Sequence, residues 1–371
     1  MDSCLRNLFL GCCALSSIAG CDKVWGGFAV PNAACSGSAC SGGADLTNSD
    51  GFEPNDLPGQ DLPNADLPAA DLPGTDLPPA SPAVIAVGQA GVIVRRAPGE
   101  TFKVDASKTT VSLQRVHGSS YQDVWAVGGL DTKVYWNGSA WTMTTFGNKG
   151  NLRSIFFSGA TAGWIGGNSG VLQKRIVSGW VDISLGTSGD VAGLWALPGT
   201  QTVWAILNTT NGAGAAGNLL LSSTDGFGSL ESTPLAATSI GVYQKMFGLA
   251  DGTLLLVGGQ KITHIKNRAV VFSTQLGSTN NLRGVWASGP TDLWAVGAAG
   301  VVLHANTASG SADWQAVPVG TSENLNDVYG TGPNDVWVVG EKGVIKHWNG
   351  SVWSTEASAT TEMLLGVWTG L

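Results

Sequence analysis

Amide and guanidinium side chains recur at one register of a repeated apolar segment, and they are the residues of this sequence best suited to hold a ligand. Three positions before a residue with a ring side chain, the sequence places Gln114, Arg153, Gln244, Arg283 and Asn326. Five positions before the same kind of residue it places Asn151, Asn281 and Asn324. Amides donate and accept hydrogen bonds and guanidinium groups donate several, so the set predicts binding of a polar partner, either a protein or a glycan.

Residues that suit catalysis or metal binding are few. His304 and His347 each follow a tryptophan by ten residues, so they occupy equivalent repeat positions, which favours a structural role. His117 stands where other repeats have an aromatic residue. Three aspartates in equivalent turns are expected to accept backbone N–H bonds; they are Asp123, Asp292 and Asp335. Because no CxxC motif, HExxH motif or phosphate-binding glycine loop occurs, the sequence predicts no metal and no cofactor.

The elements that carry these residues are short strands in a repeat of about 40 residues, a period typical of β-propellers. The clearest copies of one strand are Asp123-Val-Trp-Ala-Val-Gly128, Asp292-Leu-Trp-Ala-Val-Gly297 and Asp335-Val-Trp-Val-Val-Gly340. An apolar strand before it ends in a residue with a ring side chain, a place that we call the ring position. The ring positions are His117, Phe156, Trp195, Phe247, Trp286, Tyr329 and Trp368. Successive members are 39 residues apart except for steps of 52 and 43.

Each repeat is expected to form one four-stranded blade. Tight turns with glycine join the strands, and Asn137-Gly138 and Asn349-Gly350 are strong hairpin signals. The strands are apolar on successive residues, which predicts sheets that pack on both faces.

The ends of the repeat region complement each other. Residues 83–88 (AVIAVG) correspond to the second strand of a unit that lacks its first strand, and residues 364–368 (LLGVW) correspond to a first strand without a successor. Joined, they complete one unit and remove the open edge of the ring. The sequence therefore predicts an all-β protein with a seven-bladed propeller over residues 83–371.

In such a propeller the starts of the inner strands surround one mouth of the central channel. The amide and guanidinium side chains described above are therefore expected to converge on a ligand there. The alternative is a mouth that is merely solvated, in which the asparagines cap the turns into each strand.

The repeat, written G-x-D-V-W-A-V-G … G-x-V-x-x-W-x-G-x-x-W, resembles that of secreted and lipid-anchored propellers common in myxobacteria-like bacteria. It is more distantly similar to the Asp-box propellers, which include photosystem II assembly factors and sialidases. Ser223-Thr-Asp225-Gly-Phe227 resembles a degenerate Asp-box, with Phe227 in place of the expected glycine. The resemblance covers residues 83–371 and implies a fold rather than an activity.

The first twenty residues have the pattern of a secretory signal peptide, with Arg6 before an apolar stretch that is too short to span a bilayer. The stretch ends in Ile18-Ala19-Gly20-Cys21, which resembles the bacterial lipobox. This resemblance implies cleavage before Cys21 and lipidation of that residue, and hence a membrane anchor in the cell envelope, at the periplasmic face or the outer surface. The alternative is an ordinary signal peptide with a chance cysteine. Cys35 and Cys40 either form a small disulfide loop or remain free thiols.

Residues 21–82 are predicted to form a disordered linker. Asp-Leu-Pro recurs every five residues from Asp56 to Asp76, and proline at this density favours an extended polyproline-like chain. The segment suits a stalk that holds the propeller away from the membrane. A binding motif for a proline-recognising groove is the alternative.

The charge of the chain lies in this stalk. The sequence has a net charge of −8 with only 12% charged residues, and residues 41–82 contain eight acidic and no basic side chains. The propeller is therefore neutral overall and has no basic excess that would favour nucleic acid. Together these observations predict a non-catalytic, lipid-anchored envelope protein that binds a protein or glycan through one face of the propeller. A glycosidase or lyase at the same mouth is the alternative; it requires two carboxylates there, or a histidine with a carboxylate.

Overall fold

The computed structural model describes residues 82–145, 150–210, 216–235, 242–277, 281–307 and 314–370. The predicted signal peptide, the lipidation site Cys21, the cysteines Cys35 and Cys40 and the linker as far as residue 81 lie outside the described residues. Within the described part of the chain, no helix is long and apolar enough to cross a membrane.

The described residues form seven antiparallel sheets of four strands each, so the predicted seven-bladed propeller is confirmed. Blade 1 contains β4 (Leu113–Ser120), β5 (Asp123–Gly128), β6 (Thr132–Trp136) and β7 (Trp141–Thr145); blade 2 contains β8 (Leu152–Gly159), β9 (Ala162–Gly167), β10 (Leu172–Ile176) and β11 (Gly179–Asp182); blade 3 contains β12 (Asp190–Ala196), β13 (Val203–Thr210), β14 (Ala216–Ser223) and β15 (Glu231–Leu235). Blade 4 contains β16 (Lys245–Gly248), β17 (Leu254–Gly258), β18 (Lys261–Lys266) and β19 (Ala269–Gln275); blade 5 contains β20 (Leu282–Gly289), β21 (Asp292–Gly297), β22 (Val302–Ala305) and β23 (Gln315–Ala316); blade 6 contains β24 (Leu325–Gly332), β25 (Asp335–Gly340), β26 (Ile345–Trp348) and β27 (Trp353–Glu356).

Blade 7 closes the ring with strands from both ends of the repeat region. Its inner strand is β28 (Leu364–Gly370), followed outward by β1 (Ala83–Gly88), β2 (Ile93–Arg96) and β3 (Lys103–Asp105). β28 and β1 pair in antiparallel register from Ala83 opposite Gly370 to Gly88 opposite Leu364. This pairing satisfies the backbone of two strands that would otherwise be sheet edges, as the sequence predicted.

The blades pack face to face, which explains the absence of strict alternation in their strands. In the cluster between blades 5 and 6, Trp294 and Val296 pack with Val328 and Val336, and all four are buried. Similar clusters join the other blades, so the middle strands have no solvent-facing side.

A hydrogen-bonded group of four side chains occurs in both blade 5 and blade 6. In blade 6, Asp335 accepts hydrogen bonds from Thr331 (2.6 Å), from the Trp337 indole (2.8 Å) and from His347 (2.9 Å), whose ring stacks on that of Trp337 at 3.9 Å.

Blade 5 repeats the group with the side chains Ser288, Asp292, Trp294 and His304. The structural role predicted for these histidines is confirmed. The aspartates, however, accept from side chains of three strands rather than from the backbone of their own turn.

These aspartates make the stability of the propeller depend on pH. Burial acts to raise the pKa of Asp292 and of Asp335, but hydrogen bonds from His304 and His347 and from the neighbouring hydroxyl and indole groups outweigh it, so each pKa lies below its usual value. A carboxylate with a lowered folded-state pKa stabilises the fold above its unfolded pKa of about 3.9, and this contribution is lost as the pH falls through the folded value.

We therefore expect Asp292→Asn/Asp335→Asn to be less stable than the wild type at pH 7, with a difference in unfolding free energy that narrows below about pH 4. Chemical denaturation between pH 7 and pH 2 measures this difference. Glu362→Gln, at an exposed side chain, is the control and should follow the wild-type curve. If the unfolding free energies of the wild type and the double variant changed in parallel with pH, the lowered pKa values of Asp292 and Asp335 would be contradicted.

Candidate functional site

The inner strands β4, β8, β12, β16, β20, β24 and β28 surround a central channel with two chemically different mouths. At the mouth where these strands begin lies a pocket of about 330 Å³, which we call the polar mouth. Its lining residues are Gln114, Arg115, Gln244, Asn281, Arg283, Asn326 and Leu365. At the mouth where the strands end lies a second cavity, which is described below.

Five of the eight residues predicted to bind a ligand line the polar mouth; they are Gln114, Gln244, Asn281, Arg283 and Asn326. Gln114, Arg283 and Asn326 lie in β4, β20 and β24, and Gln244 and Asn281 directly precede β16 and β20. The convergence expected from their two repeat positions is therefore present. Their role in binding stays a prediction.

The other three predicted residues have different surroundings. The Asn151 side chain accepts the backbone N–H of Leu130 (3.1 Å), and that of Asn324 accepts the N–H of Ala299 (2.9 Å). Leu130 and Ala299 have positive φ values of 52° and 54° in the turn after the second strand of the preceding blade. These two asparagines therefore fasten neighbouring blades, which agrees with the alternative interpretation of turn capping.

Arg153 is half exposed and outside the lining of the polar mouth. Its guanidinium donates to the Asn168 side chain and lies 4.0 Å from the Asp190 carboxylate. Asp190, in β12 of blade 3, accepts the N–H of Ser169 (3.0 Å) in the turn after β9. It therefore caps the turn of the preceding blade, as Asn151 and Asn324 do.

Hydrogen bonds hold the cationic groups of the polar mouth in place. Arg283 donates to the Asn326 side chain (2.7 Å), and Asn326 donates to the Leu364 carbonyl (2.7 Å). Arg115 donates to the carbonyls of Gln114 and Leu365, both at 2.8 Å. The two guanidinium groups therefore face the pocket in fixed orientations, which lowers the entropy cost of binding.

A buried ion pair inside the channel escaped the sequence-based prediction. Lys245 Nζ lies 2.5 Å from Asp327 Oδ1, and the Asp327 carboxylate also accepts the N–H groups of Val328 (3.0 Å) and Val367 (3.2 Å). Burial lowers the pKa of Lys245, the Asp327 charge opposes this, and the charge of Arg115 adds to it.

A comparison of the residues two positions before the ring position would have revealed this group. Blades 1, 4 and 6 have Arg115, Lys245 and Asp327 there, whereas blades 3, 5 and 7 have glycine. The glycines allow close approach of the inner strands: a Cβ on Gly366 would lie 3.0 Å from the Arg115 Cα. The three charged side chains occupy the space that the glycines leave.

The residues at the ring positions meet inside the channel. The His117 ring lies 4.6 Å from that of Phe156 and 5.6 Å from that of Tyr329, and Phe247 lies 6.3 Å from Trp286. His117 therefore packs in the aromatic ring, as predicted. Five of the seven ring-position residues form the floor of a cavity of about 680 Å³ at the mouth where the inner strands end, which we call the aromatic cavity.

The described residues that line the polar mouth have amide and guanidinium groups but no carboxylate and no histidine, so they do not supply the groups that the alternative of a glycosidase or lyase requires. Among the described residues, no group of three or more histidine, cysteine, aspartate or glutamate side chains could hold a metal ion.

The Asp-box-like segment forms the turn between β14 and β15. Asp225 accepts hydrogen bonds from the Ser223 hydroxyl (2.6 Å) and the Ser229 N–H (2.9 Å). Phe227 has a φ of 73°, a conformation that favours glycine, which agrees with its place in the motif.

Comparison with known proteins supports the fold and no closer relationship. No family model matches the chain, and no curated protein matches its sequence. Among solved structures, YCF48 bound to D1 peptide matches with a TM-score of 0.55 and 17% identity over 73% of this chain and 92% of that chain. YCF48 from Cyanidioschyzon merolae matches with a TM-score of 0.54 and 14% identity over 68% of this chain and 87% of that one.

A structure described as the WD40 β-propeller domain of Doa1 matches with a TM-score of 0.55 and 11% identity, over 75% of this chain and 89% of that one. At these identities the likeness extends to the fold alone. The distant similarity to photosystem II assembly-factor propellers is consistent with the YCF48 matches.

The ion pair in the channel yields a test of what holds the inner strands together. We expect Lys245→Met to lower the free energy of unfolding by about 3 kcal/mol, because it leaves the buried Asp327 carboxylate without its counter-charge. Lys266→Met, which breaks the exposed pair between Lys266 and Asp251, is the matched control and should cost less than about 1 kcal/mol. If urea denaturation showed that Lys245→Met and Lys266→Met lower the free energy of unfolding equally, the ion pair in the channel would have no special role.

Proposed function

We propose that the propeller is a non-catalytic binding module that engages a protein partner through the polar mouth. The observation that carries this proposal is the convergence of amide and guanidinium side chains from separate blades on one pocket. A concave pocket with a few oriented polar groups is the usual form of a binding site. The YCF48 propeller with its D1 peptide supports the proposal as an example of this fold with a bound peptide.

The chemistry of the polar mouth favours a protein segment over a glycan. The Arg115 and Arg283 guanidinium groups and the four amides near them suit backbone carbonyl or carboxylate oxygens. Among the described residues that line the polar mouth, there is no aromatic ring on which a sugar could stack.

We further propose that the propeller works in the cell envelope, anchored by a lipid on Cys21 and held off the membrane by the linker of residues 21–82. The support for this is the lipobox-like Ile18-Ala19-Gly20-Cys21 after an apolar stretch and the proline-rich acidic segment that follows. At about 3.1 Å per residue, forty residues of extended linker would reach on the order of 100 Å.

The binding proposal predicts that Gln244→Ala/Arg283→Ala abolishes partner capture while the fold is retained. Immobilised propeller (residues 82–371) is incubated with envelope extract, and the captured proteins are quantified against the wild type by mass spectrometry. Arg153→Ala is the matched control, because Arg153 has the same repeat position in blade 2 but lies outside the polar mouth.

Two results would count against the proposal. Equal capture by the wild type and the double variant would exclude the polar mouth as the binding site. An equal loss of capture in Arg153→Ala would indicate a general effect of charge. Captured material that survives protease digestion would indicate a glycan partner instead.

The anchor proposal predicts that Cys21→Ser loses both lipid labelling and membrane association. Cells that express the full chain are grown with an alkyne-labelled fatty acid, and the protein is followed by click detection and by fractionation. Cys35→Ser should keep the label. Labelling that persists in Cys21→Ser would refute lipidation at this cysteine.

A further inference from the structure

The aromatic cavity has a composition unlike that of the polar mouth at the other end of the channel. Its floor consists of the rings of His117, Phe156, Trp195, Phe247 and Tyr329. Its walls are the turns after the inner strands, which contribute mainly serine, glycine, proline and alanine. A volume of about 680 Å³ lies within the range of small-molecule sites, roughly 300–1,000 Å³.

The polar side chains of the walls are already engaged. The Ser119 and Ser288 hydroxyls donate to Asp123 and Asp292, both at 2.5 Å, and the Ser158 hydroxyl donates to the Thr200 carbonyl (3.4 Å).

At the rim, the Asp251 carboxylate pairs with Lys266 (2.8 Å). A sugar, which needs many hydrogen bonds, would therefore find few partners among the side chains of the walls and rim.

The Tyr329 hydroxyl on the floor is left as a hydrogen-bond donor for a ligand. The His117 Nδ1 accepts the N–H of Phe157 (3.3 Å), so the neutral imidazole carries its proton on Nε2 and donates it to the Tyr329 hydroxyl oxygen (3.1 Å). Burial, helped by the Lys245 charge, lowers the pKa of His117 to about 3, so the ring is neutral at physiological pH.

Burial, with the charge of Asp327, raises the pKa of Tyr329 and keeps its hydroxyl protonated. Because this oxygen accepts from His117, its own proton points elsewhere, and among the described residues no oxygen accepts it.

We propose that the aromatic cavity binds a small, largely apolar ring compound that carries one hydrogen-bond acceptor oxygen, with the Tyr329 hydroxyl as the donor to that oxygen. The aromatic rings supply apolar and edge-to-face contacts with the ligand ring. The oriented Tyr329 hydroxyl selects a carbonyl or ether oxygen over a hydrocarbon. This site is separate from the polar mouth and does not depend on the proposed protein partner.

The test uses two probes of the same shape, 2-acetylnaphthalene and 2-ethylnaphthalene, with methyl β-glucoside as the sugar probe. Binding to the full chain is measured by ligand-observed NMR titration. We expect the acetyl compound to bind about fivefold more tightly than the ethyl compound, as one net hydrogen bond implies, and the glucoside not to bind. Tyr329→Phe should remove this preference and leave the affinity for the ethyl compound unchanged.

A second variant keeps the test valid if Tyr329→Phe unfolds. Gly289 lines the aromatic cavity, and a Cβ on it would meet no atom within 4 Å, so Gly289→Trp should fill the cavity and abolish binding of both naphthalenes. Gly332, at the same place in blade 6, has equal free space but does not line the cavity, so Gly332→Trp is the matched control and should bind both.

Several outcomes would overturn the proposal. They are the absence of binding by either naphthalene to the wild type, a preference that survives in Tyr329→Phe, binding that survives in Gly289→Trp, and glucoside binding at least as tight as that of the acetyl compound. Loss of naphthalene binding in Gln244→Ala/Arg283→Ala would assign the probes to the polar mouth instead. If that variant lost protein capture but kept its affinity for the naphthalenes, the two sites would be shown to act separately, so this proposal can fail independently of the proposed function.

Discussion

The pairing of β28 with β1 is the contact on which the rest of the structure depends. A propeller blade is apolar on both faces, so each blade is stable only between two neighbours, and the first and last blades of an open ring would each expose a face. The six residue pairs between β1 and β28, from Ala83 opposite Gly370 to Gly88 opposite Leu364, close the ring and remove this exposure. Closure also fixes the diameter of the channel, because seven inner strands then surround one axis at a separation that their side chains must fill.

The side chains that fill the space between the inner strands form layers along the channel. Side chains two residues apart on a strand point to the same side. The ring position and the position two before it therefore stack along the channel, as an aromatic layer and a charged layer. Space in the charged layer allows large side chains in only some blades, so Arg115, Lys245 and Asp327 share the layer with Ser154 and with three glycines that lie close to neighbouring backbone. The charges neutralise each other in part, and the Lys245–Asp327 pair ties blade 4 to blade 6 across the channel.

Much of this arrangement could be predicted from the sequence, because closure and blade number depend on spacing alone. The ring positions predicted seven blades, and the complementary ends predicted how they close. The site was predicted less completely because residues at one register do not share one environment. Asn151 and Asn324 have the register of Asn281, but each accepts an N–H from a left-handed turn residue of the preceding blade, a partner that depends on the contact between blades. The Lys245–Asp327 pair was missed for a related reason: its members are 82 residues apart and only the closed ring brings them together.

The layers also separate the two mouths chemically. A ligand in the polar mouth meets amides and guanidinium groups backed by the charged layer, whereas a ligand on the floor of the aromatic cavity meets rings and the Tyr329 hydroxyl. Between them stand Tyr329 and His117, which are hydrogen-bonded to each other, and Lys245, whose charge contributes to the lowered pKa of His117. The charged layer therefore helps to keep His117 neutral, and a neutral His117 with a single Nε2 proton is what orients the Tyr329 hydroxyl. The chemistry of the aromatic cavity is thus set in part by residues that face the opposite mouth.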